Sequence, residues 1–228
     1  MISQAVEDYL KNIYKLQRRR SESARVTTSL LAERMDVAAA SVTNMVKKLA
    51  ELKLVRHTPY QGVELTEAGE KIALETIRHH RLLELYLSEA LGYPWDEVDA
   101  EADRLEHAIS EEFEDRIDKA LGHPTVGAHG EPIPTKQGDI APLDYQPLSD
   151  LAVGEPAIIR QVSDHNPEML RYMDELGLKL GTCIEICEKA PFSGPLRVRI
   201  DTADEQSLGL ELASHIYVSA IDPEKAPS

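Results

Sequence analysis

The stretch VTTSLLAERMDVAAASVTNMVKKLAEL, residues 26–52, decides the fold of the N-terminal part of the chain. A threonine pair can cap a first helix that runs to about Met35, a turn is expected near Asp36, and a second helix follows over residues 39–52. The second helix has an apolar face at helical spacing, made by Val42, Met45, Val46 and Leu49. Two helices joined by so short a turn predict a helix-turn-helix.

The residues on either side of this motif predict a winged form of it. The run LVRHTPYQGVELT, residues 54–66, places two short β-type segments around a Pro-Tyr-Gln-Gly turn. Residues 4–20 predict an amphipathic helix that ends in three arginines. The polar face of the second helix offers groups suited to base edges and phosphates: Ser41, Asn44, Lys47 and Lys48. We therefore predict a winged helix-turn-helix DNA-binding domain over residues 1–72.

Charge is distributed unevenly along the 228 residues, whose formal net charge is −15. Residues 1–72 carry +3, residues 73–153 carry −12 and residues 154–228 carry −6. The basic first third fits a module that faces a polyanion, whereas the acidic middle third favours cation binding.

The sequence has no run of 18 apolar residues and no signal-peptide pattern, so no membrane segment is expected. Two cysteines cannot make a disulfide framework, which favours a cytoplasmic location.

The acidic middle third contains a group of potential metal ligands. In EADRLEHA, residues 101–108, Asp103, Glu106 and His107 stand at i, i+3 and i+4, so they share one face if the segment is helical. Two carboxylates and an imidazole suit a hard or borderline divalent cation. A solvated acidic face with an incidental histidine is the alternative. We predict one helix here, from about residue 96 to 121.

The rest of the chain predicts further domains and a mainly α fold with β structure. Residues 73–138 are predicted as a helical metal-binding and dimerisation domain, because the first of its helices is more apolar than one surface helix needs. A proline-containing linker is expected over residues 139–153. Alternating apolar runs over residues 154–221 predict an SH3-like β-barrel, and residues 222–228 a disordered tail.

This order of segments resembles the diphtheria-toxin-repressor family of metal-dependent transcriptional regulators. The resemblance covers nearly the whole chain and is carried by Glu7-Asp-Tyr-Leu, Ser41-Val-Thr-Asn-Met-Val, His80-Arg-Leu-Leu-Glu84, Glu101-Ala-Asp-Arg-Leu-Glu-His107 and His129-Gly-Glu-Pro-Ile-Pro134. It implies a homodimer that binds a palindromic double-stranded DNA operator when it is loaded with metal. It also implies repression of metal-uptake genes.

The resemblance implies a main metal site made by Asp8, Asp103, Glu106 and His107. The iron-responsive branch of the family has Met and Cys at the first two positions, whereas the manganese-responsive branch has carboxylates at both. The two aspartates therefore favour Mn²⁺ as the cofactor, with Fe²⁺ as the alternative. Lys11 stands where a two-domain manganese regulator has Glu, which argues against a closely spaced two-metal cluster.

A second metal site is also implied by the resemblance. Its expected ligands are His80, Glu84, His129 and Asp164, with Glu168 as a weaker candidate. His80 and Glu84 are spaced i, i+4 and share a helical face. Some relatives use a Cys in the proline-rich connector that begins at residue 122, where this chain has Gly127. The alternative is that the two histidines only pack and make hydrogen bonds.

Two other functions are compatible with a cluster of carboxylates and histidine. A metal-dependent hydrolase could use such a cluster, but the sequence has no nucleophile elbow, glycine-rich phosphate loop or His-Glu-x-x-His motif. A metal-storage protein would bind many ions weakly rather than one or two tightly. Neither alternative explains a basic helix-turn-helix, so we expect a regulator and not an enzyme.

Overall fold

A computed structural model describes residues 2–20, 25–163, 166–201 and 205–221. They pack as two compact units, the first formed by residues 1–80, 105–114 and 134–140 and the second by residues 81–104, 115–133 and 141–228. Three of the five points of division, after residues 80, 104 and 114, fall within helices. The domain boundaries expected from the sequence therefore stay predictions.

A winged helix-turn-helix makes up the N-terminal part of the first unit. Helix α1 spans Gln4–Arg20, α2 spans Thr28–Met35 and α3 spans Ala39–Glu51. Two antiparallel strands, β1 (Val55–Thr58) and β2 (Gly62–Leu65), form the wing. These elements lie where apolar spacing and turn residues predict them, which confirms this part of the predicted fold.

Local capping and burial explain why the two central helices stop and start where they do. The Thr27 hydroxyl accepts the backbone N–H of Leu30 at 3.2 Å and caps α2. Asp36 ends α2 in a left-handed conformation with φ of 50°. α3 then buries Val42, Val46 and Leu49 completely in a core shared with α1. Each such side chain contributes about 1.5–3 kcal/mol of apolar burial, which fixes the exposed polar face of α3 outward.

The single helix expected over residues 96–121 is wrong, because the chain forms two helices there. These are α5 (Val98–Leu105) and α6 (Glu111–Ala120), with a turn at residues 106–108. The Ser110 hydroxyl accepts a backbone N–H of the first turn of α6 at 3.3 Å, and so starts a new helix. The ligand candidates Glu106 and His107 thus lie in a turn, and not on a helical face.

The long helix α4 spans Glu67–Leu91. Of the apolar residues for which we expected packing against a second chain, Leu82, Leu83 and Leu87 are buried within one chain, whereas Leu91 is 58% exposed. Only part of the apolar content of α4 is therefore accounted for by burial within one chain. Among the described residues, no helix is both long and apolar enough to cross a membrane.

An antiparallel sheet forms the core of the second unit. Its strands are β3 (Gln146–Pro147), β4 (Pro156–Val162), β5 (Cys183–Lys189), β6 (Leu196–Ile200), β7 (Gln206–Leu208) and β8 (Ile216–Ala220). They are ordered β3-β8-β4-β5-β6-β7. Helix α7 (Pro167–Glu175) connects β4 to β5, and the short α8 (Leu210–Ser214) precedes β8. This sheet is consistent with the predicted SH3-like domain.

The sheet extends further toward the N-terminus than the sequence predicted. β3 and a 3₁₀ turn at Leu148–Asp150 lie inside residues 139–153, which we expected to be a linker. Leu148 and Leu151 are fully buried in the core of the sheet. The second half of that segment therefore packs as part of the β structure. The predicted tail, residues 222–228, lies outside the described residues.

Candidate metal centre

Three of the four residues predicted for the main site lie together in the first unit. Asp8 comes from α1, whereas Glu106 and His107 come from the turn after α5. His107 Nε2 is 2.9 Å from Asp8 Oδ1 and 3.3 Å from Glu106 Oε1. One ligand atom from each residue lies within 4.8 Å of the other two. We call Asp8, Glu106 and His107 the main cluster.

A carboxylate that the sequence analysis missed orients the imidazole of the main cluster. Glu7 Oε2 is 2.6 Å from His107 Nδ1, so the Nδ1–H donates to this carboxylate when the ring is neutral. The other nitrogen, Nε2, then carries its lone pair toward Asp8 and Glu106. A carboxylate behind a ligating histidine is a common arrangement in metal sites, because it fixes the ring and raises its basicity. The motif Glu7-Asp-Tyr-Leu contained this residue, but nothing in it indicated the contact.

Glu106 connects the main cluster to two further buried side chains. Lys11 Nζ lies 2.7 Å from Glu106 Oε1, and His80 Nδ1 lies 2.6 Å from Glu106 Oε2. All three side chains are buried, with Glu106 only 2% exposed. His80 was expected at the second metal site, and the structure places one of its two ring nitrogens on the main cluster. Its Nε2 atom remains compatible with the second role, which stays a prediction.

Burial and neighbouring charges shift the two carboxylates of the main cluster in opposite directions. Burial raises the pKa of Asp8, although the charges of His107 and Lys11 oppose the shift. Burial would also raise the pKa of Glu106, but the contacts from His80 and Lys11 outweigh it and lower the pKa. Glu106 is therefore a carboxylate held in its charged form, as a metal ligand must be.

Asp103, the fourth predicted ligand, lies on α5 with an exposed side chain. The turn that follows α5 carries Glu106 and His107, so the helical spacing from which we inferred a common face does not apply to all three residues. A role for Asp103 as a ligand stays a prediction. The main cluster by itself offers two carboxylate oxygens and one imidazole nitrogen, a set of donors without sulfur that fits a hard or borderline divalent cation.

A second group of charged residues attaches the segment after the main cluster to α4. Arg78 Nε lies 2.5 Å from Glu114 Oε1, and Arg78 also donates to the Pro134 carbonyl at 2.9 Å. His79 Nδ1 lies 3.1 Å from the Glu106 carbonyl, and its Nε2 lies 3.3 Å from Glu114 Oε2. Burial would raise the pKa of Glu114, but the contacts from His79 and Arg78 lower it to about 2.

Replacing Glu114 with glutamine is expected to change how stability depends on pH. The pKa of Glu114 is about 2 in the folded protein and 4.5 without its contacts, so its stabilisation is complete above pH 4.5 and is lost as pH falls toward 2. We expect Glu114→Gln to lower the free energy of unfolding at pH 7 by about 2 kcal/mol, allowing for solvent screening. Urea denaturation at pH 7, 5 and 3 measures this.

Exposed Glu51, at the end of α3, provides the control for that experiment. Its replacement by glutamine should change stability by less than about 0.5 kcal/mol at each pH. The loss at Glu114→Gln should shrink between pH 5 and 3. An equal loss at all three pH values would show that the charge of Glu114 does not account for it.

Two of the residues predicted for the second metal site meet inside the second unit. His129 Nδ1 lies 3.3 Å from Glu84 Oε1, and both side chains are almost completely buried. His129 Nε2 lies 2.8 Å from the carbonyl of Trp95, to which it donates. Burial would lower the pKa of His129, but the contact with Glu84 and the charge of Glu131 raise it to about 9. Glu131 was not predicted, and nothing in its motif distinguished it.

The remaining residues of the predicted second site cannot be placed with this pair. Asp164 lies outside the described residues. Glu168, the weaker candidate, is exposed in the first turn of α7, where it is part of a capped helix start at Asn166. The second site therefore stays a prediction, and the contact between Glu84 and His129 is the observation that supports it.

The predicted DNA-contacting residues all lie on the exposed face of α3. This set is Ser41, Asn44, Lys47 and Lys48. The opposite face of the helix is buried, so α3 cannot rotate to withdraw these groups. A helix with short polar and basic side chains on its free face is what the major groove of DNA accommodates. The fold is that of a DNA-binding protein, and the donor atoms of the main cluster make it a candidate site for a divalent cation.

Comparison with known protein families assigns the chain independently of this geometry. Residues 1–63 match the iron dependent repressor N-terminal DNA binding domain, residues 66–135 match the iron dependent repressor metal binding and dimerisation domain, and residues 146–220 match the FeoA domain. The chain belongs to the iron-dependent repressor family, whose members are metal-dependent transcriptional repressors. These are DNA-binding regulators rather than enzymes, as the sequence predicted.

Individual relatives include both iron-dependent and manganese-dependent repressors. The chain is 34% identical over 172 residues to the iron-dependent repressor IdeR of Mycobacterium tuberculosis, covering 70% of this chain and 72% of the relative. A solved manganese-dependent transcriptional repressor in complex with manganese is 38% identical, with a TM-score of 0.87 over 95% of this chain and 100% of that chain. The manganese regulator SloR is 34% identical, with a TM-score of 0.77 over 95% and 98%. The recognised family resemblance is thereby confirmed.

Proposed function

We propose that this chain is a manganese-responsive repressor that acts in the cytoplasm on metal-uptake genes. The main cluster carries this proposal, because it joins α1 of the DNA-binding part to the turn after α5 through metal-ligand side chains. Asp103 is proposed as a further ligand of the same ion. Fe²⁺ is the alternative metal, since iron-dependent repressors are among the relatives.

The chemistry of the main cluster supports manganese over its competitors. Mn²⁺ binds weakest in the usual order of divalent metals, so a protein selects it by ligand type and geometry rather than by affinity. Asp8, Glu106 and His107 offer oxygen and imidazole nitrogen, and no thiolate or thioether that would favour softer ions. A solved relative that is 38% identical to this chain is a manganese-dependent repressor in complex with manganese.

The residues of the main cluster also explain how metal would control DNA binding. The three carboxylates of Glu7, Asp8 and Glu106 face the single ammonium of Lys11, so part of their mutual repulsion remains without a metal ion. A bound divalent cation supplies the charge that offsets this repulsion. Asp8 then holds the start of α1 against the turn, and α1 shares its core with α3. If only that arrangement fits DNA, metal and DNA binding are coupled, typically by about 1–3 kcal/mol or 5–150-fold.

We propose that the repressor acts as a homodimer on a palindromic operator. The family match includes a dimerisation domain over residues 66–135, and a dimer with two-fold symmetry presents two copies of α3 in opposite directions. Two such helices fit successive major grooves when the half-sites are about one helical turn apart. We propose that Ser41 and Asn44 contact base edges, and that Lys47 and Lys48 contact phosphates.

The affinity for DNA in the presence of different metals tests this proposal. A palindromic duplex selected from a random library by the manganese-loaded protein serves as the probe, and fluorescence anisotropy measures binding with EDTA, Mn²⁺, Fe²⁺, Co²⁺ or Zn²⁺. We expect Mn²⁺ to raise the affinity at least about tenfold over EDTA, within the usual range of such coupling. Activation by Fe²⁺ without activation by Mn²⁺ would overturn the metal assignment.

A variant of α3 separates DNA contact from metal binding. The double replacement Lys47→Ala and Lys48→Ala should weaken DNA binding and reduce the slope of log affinity against log salt by about 4 for the proposed dimer, because each protomer loses two phosphate contacts. Calorimetry should show that this variant binds Mn²⁺ as the wild type does. An unchanged salt slope would mean that α3 does not face DNA through these lysines.

A further inference from the structure

A buried lysine contacts the main cluster. A role of the main cluster as a metal site does not explain why this lysine is there. Lys11 lies on α1, one turn after Asp8, and is only 6% exposed. A buried ammonium is costly unless it is paired, and Lys11 Nζ is paired with Glu106 Oε1 at 2.7 Å. The ammonium therefore needs the carboxylate that the main cluster offers to metal.

The oxygen that binds Lys11 is the same oxygen that faces the other ligands. Glu106 Oε1 lies 3.3 Å from His107 Nε2, which in turn lies 2.9 Å from Asp8 Oδ1. The second oxygen of Glu106 is engaged by His80 at 2.6 Å. A divalent cation that binds Oε1 would meet the positive charge of Lys11 on the same atom. Two cations so close repel each other strongly in a buried setting.

We propose that Lys11 provides an internal cation that holds Glu106 in the metal-free protein and must leave this oxygen when metal binds. Lys11 thereby sets how tightly the main cluster binds metal, and so the metal concentration at which the repressor responds. This inference rests on the proposed function, since it requires that metal binds to Glu106. The exchange moves an ammonium group and breaks no covalent bond.

Removing the ammonium tests the proposal directly. In Lys11→Met the side chain keeps its length and its apolar stem but carries no charge, so Glu106 and Asp8 face each other without an internal cation. We expect isothermal calorimetry to show Mn²⁺ binding at least roughly tenfold tighter than in the wild type, which corresponds to about 1.4 kcal/mol. The metal-free variant should also unfold at a lower urea concentration. Unchanged or weaker Mn²⁺ binding would overturn the proposal.

Two further variants separate this proposal from the proposed function. Lys119→Met removes an exposed ammonium from α6 and should leave Mn²⁺ affinity unchanged. Glu106→Gln should lose tight Mn²⁺ binding; if it binds like the wild type, the proposed metal site itself fails. If Glu106→Gln loses binding but Lys11→Met gains none, the metal site stands and only the role of Lys11 fails.

A measurement on the wild-type protein decides the matter even if Lys11→Met does not fold. A crystal structure of the manganese-loaded protein should show Lys11 Nζ beyond hydrogen-bonding distance of Glu106, in place of the 2.7 Å contact described above. An ion bound to Glu106 with the contact to Lys11 still intact would show that the two cations do not compete.

Discussion

Replacing Glu106 with glutamine is expected to abolish the response of DNA binding to manganese and to destabilise the protein by about 3 kcal/mol. Glu106 accepts contacts from Lys11 at 2.7 Å and from His80 at 2.6 Å. The glutamine amide has nearly the same shape but no charge, so the buried Lys11 ammonium loses the carboxylate that it contacts at 2.7 Å. Removing one partner of a buried ion pair typically costs about 3–5 kcal/mol.

Two measurements distinguish the effects of this replacement. Urea denaturation in EDTA gives the loss of stability, and anisotropy with the selected duplex gives the loss of the response to Mn²⁺. We expect the affinity for DNA with Mn²⁺ to fall to the value measured in EDTA, because Glu106 supplies one of the charged ligands of the main cluster.

Glu101 offers a matched control for Glu106 in the same stretch of sequence. Its carboxylate pairs with Arg104 at 3.0 Å, and the Arg104 side chain is 71% exposed. An exposed pair of this kind contributes at most about 1 kcal/mol, so Glu101→Gln should be nearly silent in both assays. Equal effects at Glu101 and Glu106 would contradict the assignment of the main cluster.

Replacing Gly130 with alanine is expected to destabilise the second unit by roughly 3 kcal/mol. Gly130 has a φ of +92°, and an added Cβ would lie 2.0 Å from the Arg160 carbonyl oxygen on β4. A residue with a side chain pays about 1–3 kcal/mol for such a backbone conformation, and the contact with Arg160 adds overpacking. The neighbouring His129 carbonyl accepts the Val162 N–H at 2.9 Å, so the strain falls where the segment around residue 130 contacts β4.

Gly122 separates the effect of backbone conformation from that of close packing. It has a φ of +74° and nothing within 4 Å of an added Cβ. Gly122→Ala should therefore cost only about 1 kcal/mol, from the positive φ alone. Urea denaturation followed by far-UV circular dichroism compares the two variants, and similar losses in both would show that the approach to Arg160 is unimportant.

The fluorescence of Trp95 gives a local readout for the same variants. It is the single tryptophan of the chain, and its ring lies 5.8 Å from the His129 ring. The backbone carbonyl of Trp95 accepts from His129. We expect Gly130→Ala to change the emission of the folded protein, because it displaces His129, while Gly122→Ala leaves the emission unchanged.

Elements with a strong local pattern could be predicted from the sequence. The apolar spacing of α3 determines both its buried face and the exposed position of Asn44 and Lys47, because a helix with one apolar stripe has one way to pack. The alternation of apolar and polar residues in β4 and β5 likewise determines which of their side chains are buried. Short elements such as β3 gave no such signal, because two residues cannot show a period.

The candidate sites show the same difference between features with a local pattern and features without one. Asp8 was found through the family resemblance, and Glu106 and His107 through a spacing that we attributed to a helix, although that helix ends at Leu105. The break at Ser110 depends on a single capping hydroxyl, which competes weakly with continued helix in a sequence of good helix formers. Glu7 and Glu131 were missed because a glutamate looks the same in the sequence whether it faces a buried histidine or solvent.

The sequence by itself determined the classes of domain, their order and the kind of metal donors, because each follows from residue types and periods within a short stretch. Only the tertiary structure decided that Lys11 and His80 both meet Glu106, and that His129 meets Glu84. These partners are 95, 26 and 45 residues apart in the chain, and the contacts form only when packing brings distant segments together. The partner of a charged side chain in this protein, whether solvent, a metal ion or another side chain, therefore depends on how the fold buries that side chain.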